Sequence, residues 1–169
     1  MAAGLVFTLL LGLSFGLWDG ADAAQMKVAN CEKCGPGWAW YDGRCFLYVK
    51  VKMSWAKAER LCLSLEGHLA SMRSTNEYNF IRELIVTESG RDTQTWVGGF
   101  DSAQEGTWMW SDGSKFMFHH WGLGEPSNSG GNQNCMDINF AGRDYVNDDV
   151  CGVLLPFVCA RHVKALNAF

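Results

Sequence analysis

Apolar positions recur along the chain with two different periods, and they divide it into three parts. Trp38, Trp40 and Tyr41 lead into Asp42-Gly43, a dipeptide that favours a tight hairpin turn. The run Cys45-Phe-Leu-Tyr-Val-Lys-Val-Lys52 is rich in aromatic and β-branched residues and predicts a strand after that turn. The period then lengthens. Trp55, Ala58, Leu61, Cys62 and Leu65 recur at three and four, predicting a helix from near Ser54 that stops at Gly67. Ser74-Thr-Asn-Glu77 reads as a capping box, and Phe80, Ile81, Leu84 and Ile85 give a second helix its buried stripe up to Ser89-Gly90. Short strand signals follow at Thr95–Phe100, Thr107–Trp110, Cys135–Ile138 and Leu154–Ala160. Pro156 requires its strand to be at an edge or at its start. The order of strands, two helices and strands again predicts an α+β fold.

Between Ser111 and Asn134 regular signals are scarce, and a gap of that length inside a compact domain is usually functional. Its second half, Trp121–Cys135, is rich in Gly, Ser and Asn and offers side-chain oxygens with little to bury. Pro126 makes Glu125-Pro126 a candidate cis bond. Tyr145–Cys151 adds Asn147, Asp148 and Asp149. Two oxygen-rich segments, each closed by a Cys, suit a hard cation, although composition alone favours polar surface loops.

Composition adds a compartment. Gly4–Trp18 is an apolar run followed by the small-x-small signature Ala21-Asp22-Ala23, as in a secretory leader. It is too short for a membrane span and no second span follows, so residues 1–23 are expected to be cleaved and the protein secreted. Without Asp19 and Asp22 the net charge moves from −4 to −2, which leaves no electrostatic footprint for nucleic acid. The remaining chain, roughly 145 residues, suffices for one domain. All seven Cys follow the leader, which implies a disulfide framework with one thiol over. Cys31 and Cys34 form neither a redox pair nor half a zinc site, because no βαβ pattern or second ligand pair accompanies them. His119 and His120 would point to opposite sides of a strand, so no shared metal is expected there. No catalytic signature accompanies the carboxylates of Glu125 and Asp148, and an enzyme is not expected.

Gly37-Trp38, Tyr41–Phe46, Gly67–Ser71, Trp96–Gly99, Trp108–Gly113, Glu125–Ser127, Asn134-Cys135 and Asn147-Asp148 stand in an order that resembles the C-type lectin domain family. The likeness runs from Cys34 to Cys159 and is nearest to small secreted fish lectins; fish type II antifreeze proteins are also similar. It implies a C-type lectin-like fold over 34–162, with short antiparallel sheets and a long irregular ligand loop. Tails of 24–33 and 163–169 would flank it. It implies the bridges Cys34–Cys45, Cys62–Cys159 and Cys135–Cys151, leaving Cys31 for a disulfide-linked homodimer. It also implies a calcium ion held by Glu125, Ser127, Gln133, Asn147 and Asp148, the last with its backbone carbonyl as well. Two hydroxyls of one sugar would complete the shell and bond Glu125, Ser127, Asn147 and Asp148, with Tyr145 or Phe140 stacking alongside.

Three positions depart from the family pattern. Ser127 stands where mannose binders have Asn and galactose binders Asp; Gln133 stands for the usual Glu, and Val146 for the usual Trp. The resemblance therefore implies a secreted, calcium-dependent carbohydrate-binding protein, with defence against microbes as the family-level role. Its alternatives are a lectin fold that acts through protein contacts and an ice-binding protein.

Overall fold

The computed structural model of the chain describes residues 34–163. The leader, the 24–33 tail with Cys31 and residues 164–169 lie outside the described residues. Strands β1 (Ala39–Tyr41) and β2 (Arg44–Met53) are joined through Asp42 and Gly43, both at positive φ, as the Asp-Gly signal predicts. Helix α1 (Trp55–Ser64) follows, then β3 (His68–Leu69) and helix α2 (Thr75–Ser89). The rest is β4 (Thr95–Phe100), β5 (Met109–Trp110), β6 (Cys135–Ile138), β7 (Val146–Asp149) and β8 (Leu155–His162). They form one sheet in the order β1-β2-β8-β4-β6-β7, with β3 on β8 and β5 on β4. The sheet is mixed, not purely antiparallel as expected: β4 and β8 pair in parallel at Trp96 and Phe157.

β8 lies at the centre and is buried on both faces, because its side chains alternate between two cores. Val158 and Ala160 join Phe46, Tyr48, Val97, Met136 and Ile138 under α2, with Ile81, Ile85 and Tyr78 from the helix. Leu155, Phe157 and Cys159 join Trp96, Leu69 and Cys135 under α1, with Ala58 and Cys62. Pro156 is the second residue of β8, the strand start its missing N–H demands. The three expected bridges are present. Cys62–Cys159, 97 residues apart, ties α1 to the central strand. Closing a loop of that length contributes about 4–5 kcal/mol in the chain-entropy model.

Three local expectations are corrected. The left-handed residue that ends α1 is Glu66 (φ 61), not Gly67. The amides of Glu66 and Gly67 return to the carbonyls of Leu63 and Cys62, closing the helix as a Schellman turn. Gly67 is required for space: a Cβ there would sit 2.5 Å from the Ala160 carbonyl oxygen. The capping box of α2 is half formed. Ser74 accepts from the Glu77 N–H, but the Glu77 carboxylate takes the Arg73 N–H and pairs with Arg44 at 2.8 Å. The expected strand over 107–110 is shorter, limited to Met109 and Trp110.

Candidate functional site

The long segment after β5 has two halves with opposite physics. Phe116, Phe118 and Trp121 fold inward and extend the α2 core with Trp108 and Trp110. From Gly122 onward the chain is polar and runs over the outer edge of the sheet. Gly122 donates its N–H to the Val146 carbonyl of edge strand β7 at 2.9 Å. Only Gly fits, since a Cβ would lie 2.4 Å from the Tyr145 ring. The Tyr145 hydroxyl donates to the Leu123 carbonyl, so this ring pins the loop's start to the strand. Phe140 and Arg143 flank the same ring.

The Glu125–Pro126 bond is cis, as the sequence suggested. Beyond it the loop turns onto Asp148. The Ser127 N–H donates to Asp148 Oδ1 at 2.9 Å and the Asn128 N–H to Oδ2 at 2.8 Å. Asn128 takes a left-handed φ of 42° and its Oδ1 accepts the Gln133 N–H at 3.1 Å. Gln133 returns its Oε1 to the Ser129 N–H and to the Ser127 hydroxyl, 3.3 Å away. The polar loop is thus closed by its own side chains and by one carboxylate of β7.

Glu125 faces the same carboxylate. Its Oε2 is shielded from solvent and has no hydrogen-bond partner. Burial, then the adjoining Asp148, raise its pKa above the usual carboxylate value, while hydrogen bonds with Ser127 oppose the shift. An orphaned carboxylate oxygen beside a second carboxylate is a costly arrangement unless a positive charge offsets it. Glu125, Ser127, Gln133 and Asp148 are therefore brought together, and their oxygens suit a hard cation. Among the described residues no three His, Cys, Asp or Glu side chains converge on a metal position. A cation here would draw on two carboxylates and on neutral oxygens.

The fifth expected residue behaves differently. Asn147 is buried in β7 and its Nδ2 donates to Asp137 Oδ2 at 3.0 Å. Tyr145 and Phe140 do lie beside the loop, with the Tyr145 hydroxyl committed to Leu123. Sequence reasoning missed Asp137. The signal was available as a lone acid at an alternating position in Cys-Met-Asp-Ile, a strand otherwise apolar. It also read 145–151 as a segment without regular structure, whereas Val146–Asp149 is strand β7.

The Lectin C-type domain model matches residues 51–161. Ladderlectin of Oncorhynchus mykiss is 41% identical over 137 residues, covering 81% of this chain and 72% of its own. The galactose-specific lectin nattectin of Thalassophryne nattereri is 38% identical over 163 residues, covering 96% of this chain and 100% of its own. Among solved structures, herring type II antifreeze protein superposes with a TM-score of 0.71 at 29% identity, over 78% of this chain and 100% of that one. Fold, bridges, motif order and relatives agree: the chain belongs to the C-type lectin domain family.

Proposed function

We propose that this protein is a secreted, calcium-dependent carbohydrate-binding lectin, with a leader over 1–23 and a recognition domain over 34–162 flanked by tails of 24–33 and 163–169. The observation that carries it is the shielded, unpartnered Oε2 of Glu125 beside Asp148, in a loop closed by Ser127 and Gln133. The galactose specificity in the name of nattectin supports a sugar ligand. Secretion is supported by the leader and by three disulfides, which persist in oxidising compartments. No helix among the described residues is long and apolar enough to cross a membrane.

In this reading Glu125, Ser127, Gln133, Asn147 and Asp148 hold the calcium ion. When bound, the ion supplies a hard positive centre to which two adjacent sugar hydroxyls can coordinate. The carboxylates of Glu125 and Asp148 accept hydrogen bonds from those hydroxyls. Ser127 both donates and accepts, so it imposes no polarity on the sugar, unlike the Asn or Asp found in relatives. The activity is binding rather than catalysis. A glycan array run with and without calcium is the test. Calcium-dependent signal on a defined sugar class is expected, and signal indifferent to chelator sinks the reading. The antifreeze neighbour favours a second reading, an ice-binding surface on the same fold, which thermal hysteresis would report directly.

Because only two ligands are carboxylates, calcium is expected to bind at about 10⁻⁴–10⁻³ M, the range of extracellular modules. Gln133→Glu keeps an oxygen for the Ser127 hydroxyl and the Ser129 N–H and adds a charge. It should tighten calcium several-fold. Calorimetry that finds affinity unchanged or weaker removes Gln133 from the ligand set.

Cys31 has no partner in the three-bridge scheme, since Cys34 pairs with Cys45. An odd thiol in an oxidising compartment usually pairs between chains, and two tethered shallow sites gain avidity. The secreted protein should run as a dimer on non-reducing electrophoresis and as a monomer after Cys31→Ser. A native monomer band that the substitution leaves unchanged counts against the dimer.

A further inference from the structure

Asp137 is absent from the expected ligand set, yet it is completely buried on the α1 side of the sheet. Its strand neighbours are Trp96 on β4 and Asn147 on β7. Among the described residues no Lys, Arg or His pairs with it. Oδ2 accepts from Asn147 Nδ2 at 3.0 Å, while Oδ1 is buried without a partner. A group this costly to bury calls for a compensating role.

The chemistry of its partner supplies one. A carboxamide presents an oxygen on one side and an NH₂ on the other, and rotation about χ2 exchanges them. Only the oxygen can ligate a cation. Asp137 offers an acceptor, so the matched rotamer turns the NH₂ of Asn147 inward and Oδ1 away from Asp137. The next residue on the same face does not compete for Asn147. Asp149 is engaged by its neighbours, accepting from Gln94 Nε2 at 3.5 Å and from the Val150 N–H at 2.7 Å. The residue between them in the strand, Asp148, receives the loop through Ser127 and Asn128.

We infer that Asp137 is a positioning residue for the cation site: by accepting the Asn147 Nδ2 proton it fixes the amide and commits Asn147 Oδ1 to the ligand side. The inference rests on the calcium reading above. Partners of this kind change metal affinity by about 10–100-fold when removed.

The test is calcium titration of the full secreted chain by calorimetry, with thermal unfolding in chelator measured in parallel. Asp137→Val removes the acceptor but suits a strand. It should weaken calcium by about 10–100-fold, while the unfolding temperature in chelator reports separately the cost of leaving the buried Asn147 NH₂ without its acceptor. Asp137→Asn keeps an acceptor oxygen and should stay within about threefold of the parent. The side-chain amide of Asn147 should exchange slowly with solvent in the parent and in Asp137→Asn, and quickly in Asp137→Val. If Asp137→Val is not secreted, Asp137→Glu displaces the acceptor by one methylene and should weaken calcium at least several-fold. Glu125→Gln serves as the reference for the site itself. Loss of calcium in Glu125→Gln with parent affinity in the Asp137 variants overturns the positioning role and keeps the calcium reading. Equal loss in Asp137→Asn and Asp137→Val assigns the effect to charge and overturns it too. A parent chain that binds no calcium overturns both.

Discussion

Replacing Asp148 by alanine is expected to abolish calcium-dependent sugar retention while leaving the disulfides and the far-UV signal in place. Asp148 is at once a proposed ligand and the group on which the loop closes. Both its oxygens accept backbone N–H groups, from Ser127 and Asn128, and it adjoins Glu125. Its loss removes one of two carboxylates from the site and frees the turn that carries Ser127. None of the three bridges involves Asp148, although Cys135–Cys151 closes the segments beside it, and the core side chains of β7 and β6, Val146, Met136 and Ile138, are untouched. Asp148→Asn, which keeps shape and loses charge, should fall between parent and alanine in calcium affinity. The measurement is elution from an immobilised sugar by chelator and by free sugar. A variant that still elutes only with chelator places the binding site elsewhere on the molecule.

The second large effect is on stability. Arg44 and Glu77 form an ion pair at 2.8 Å with both side chains 4% exposed. Arg44 also donates to the Ser71 carbonyl and to its hydroxyl, and the other oxygen of Glu77 takes the Arg73 N–H. The pair joins β2 to the first turn of α2. Removing Glu77 leaves the buried Arg44 with only the more distant Asp112, 3.7 Å away, so Glu77→Leu should cost about 3–5 kcal/mol. Arg44→Met should cost a similar amount. The double substitution should cost clearly less than the sum of the two, because neither charge is then left alone. Urea unfolding with an unchanged slope is the readout. Additive losses would mean that the pair is uncoupled and that each residue acts through its backbone partners alone.

The sequence disclosed the parts of this fold that depend on neighbours in the chain. Asp42-Gly43 specified its hairpin, Ser74 its cap, and the two helical stripes their buried faces. The bridges became legible only through the order of motifs, since spacing alone leaves seven Cys with many pairings. What stayed hidden depends on partners far along the chain. Glu77 looked like half of a capping box because Arg44, 33 residues away, cannot be read as its counter-ion from periodicity. Val-Asn-Asp-Asp reads as loop, but pairing with β6 buries Asn147 against Asp137 and makes a strand of it. Gly67 looked like a helix stop because Gly is the usual left-handed residue. Contact with Ala160, 93 positions later in the chain, makes its missing Cβ a matter of space.

The course of the polar loop along β7 has a consequence for the solution behaviour of the protein. β7 is an outer strand of the sheet, and an outer strand presents unpaired backbone groups to which another chain can add. Gly122 takes up the Val146 carbonyl, and the turn at Ser127 and Asn128 lies against Asp148, so the loop screens that edge from a second molecule. The partly exposed carboxylate of Asp149 adds a further deterrent. The polar loop is therefore also a guard against edge-to-edge aggregation. Lengthening it between Asn128 and Gln133, where it bonds to itself, leaves that guard in place; shortening it between Gly122 and Ser127 uncovers a sheet edge to neighbouring chains.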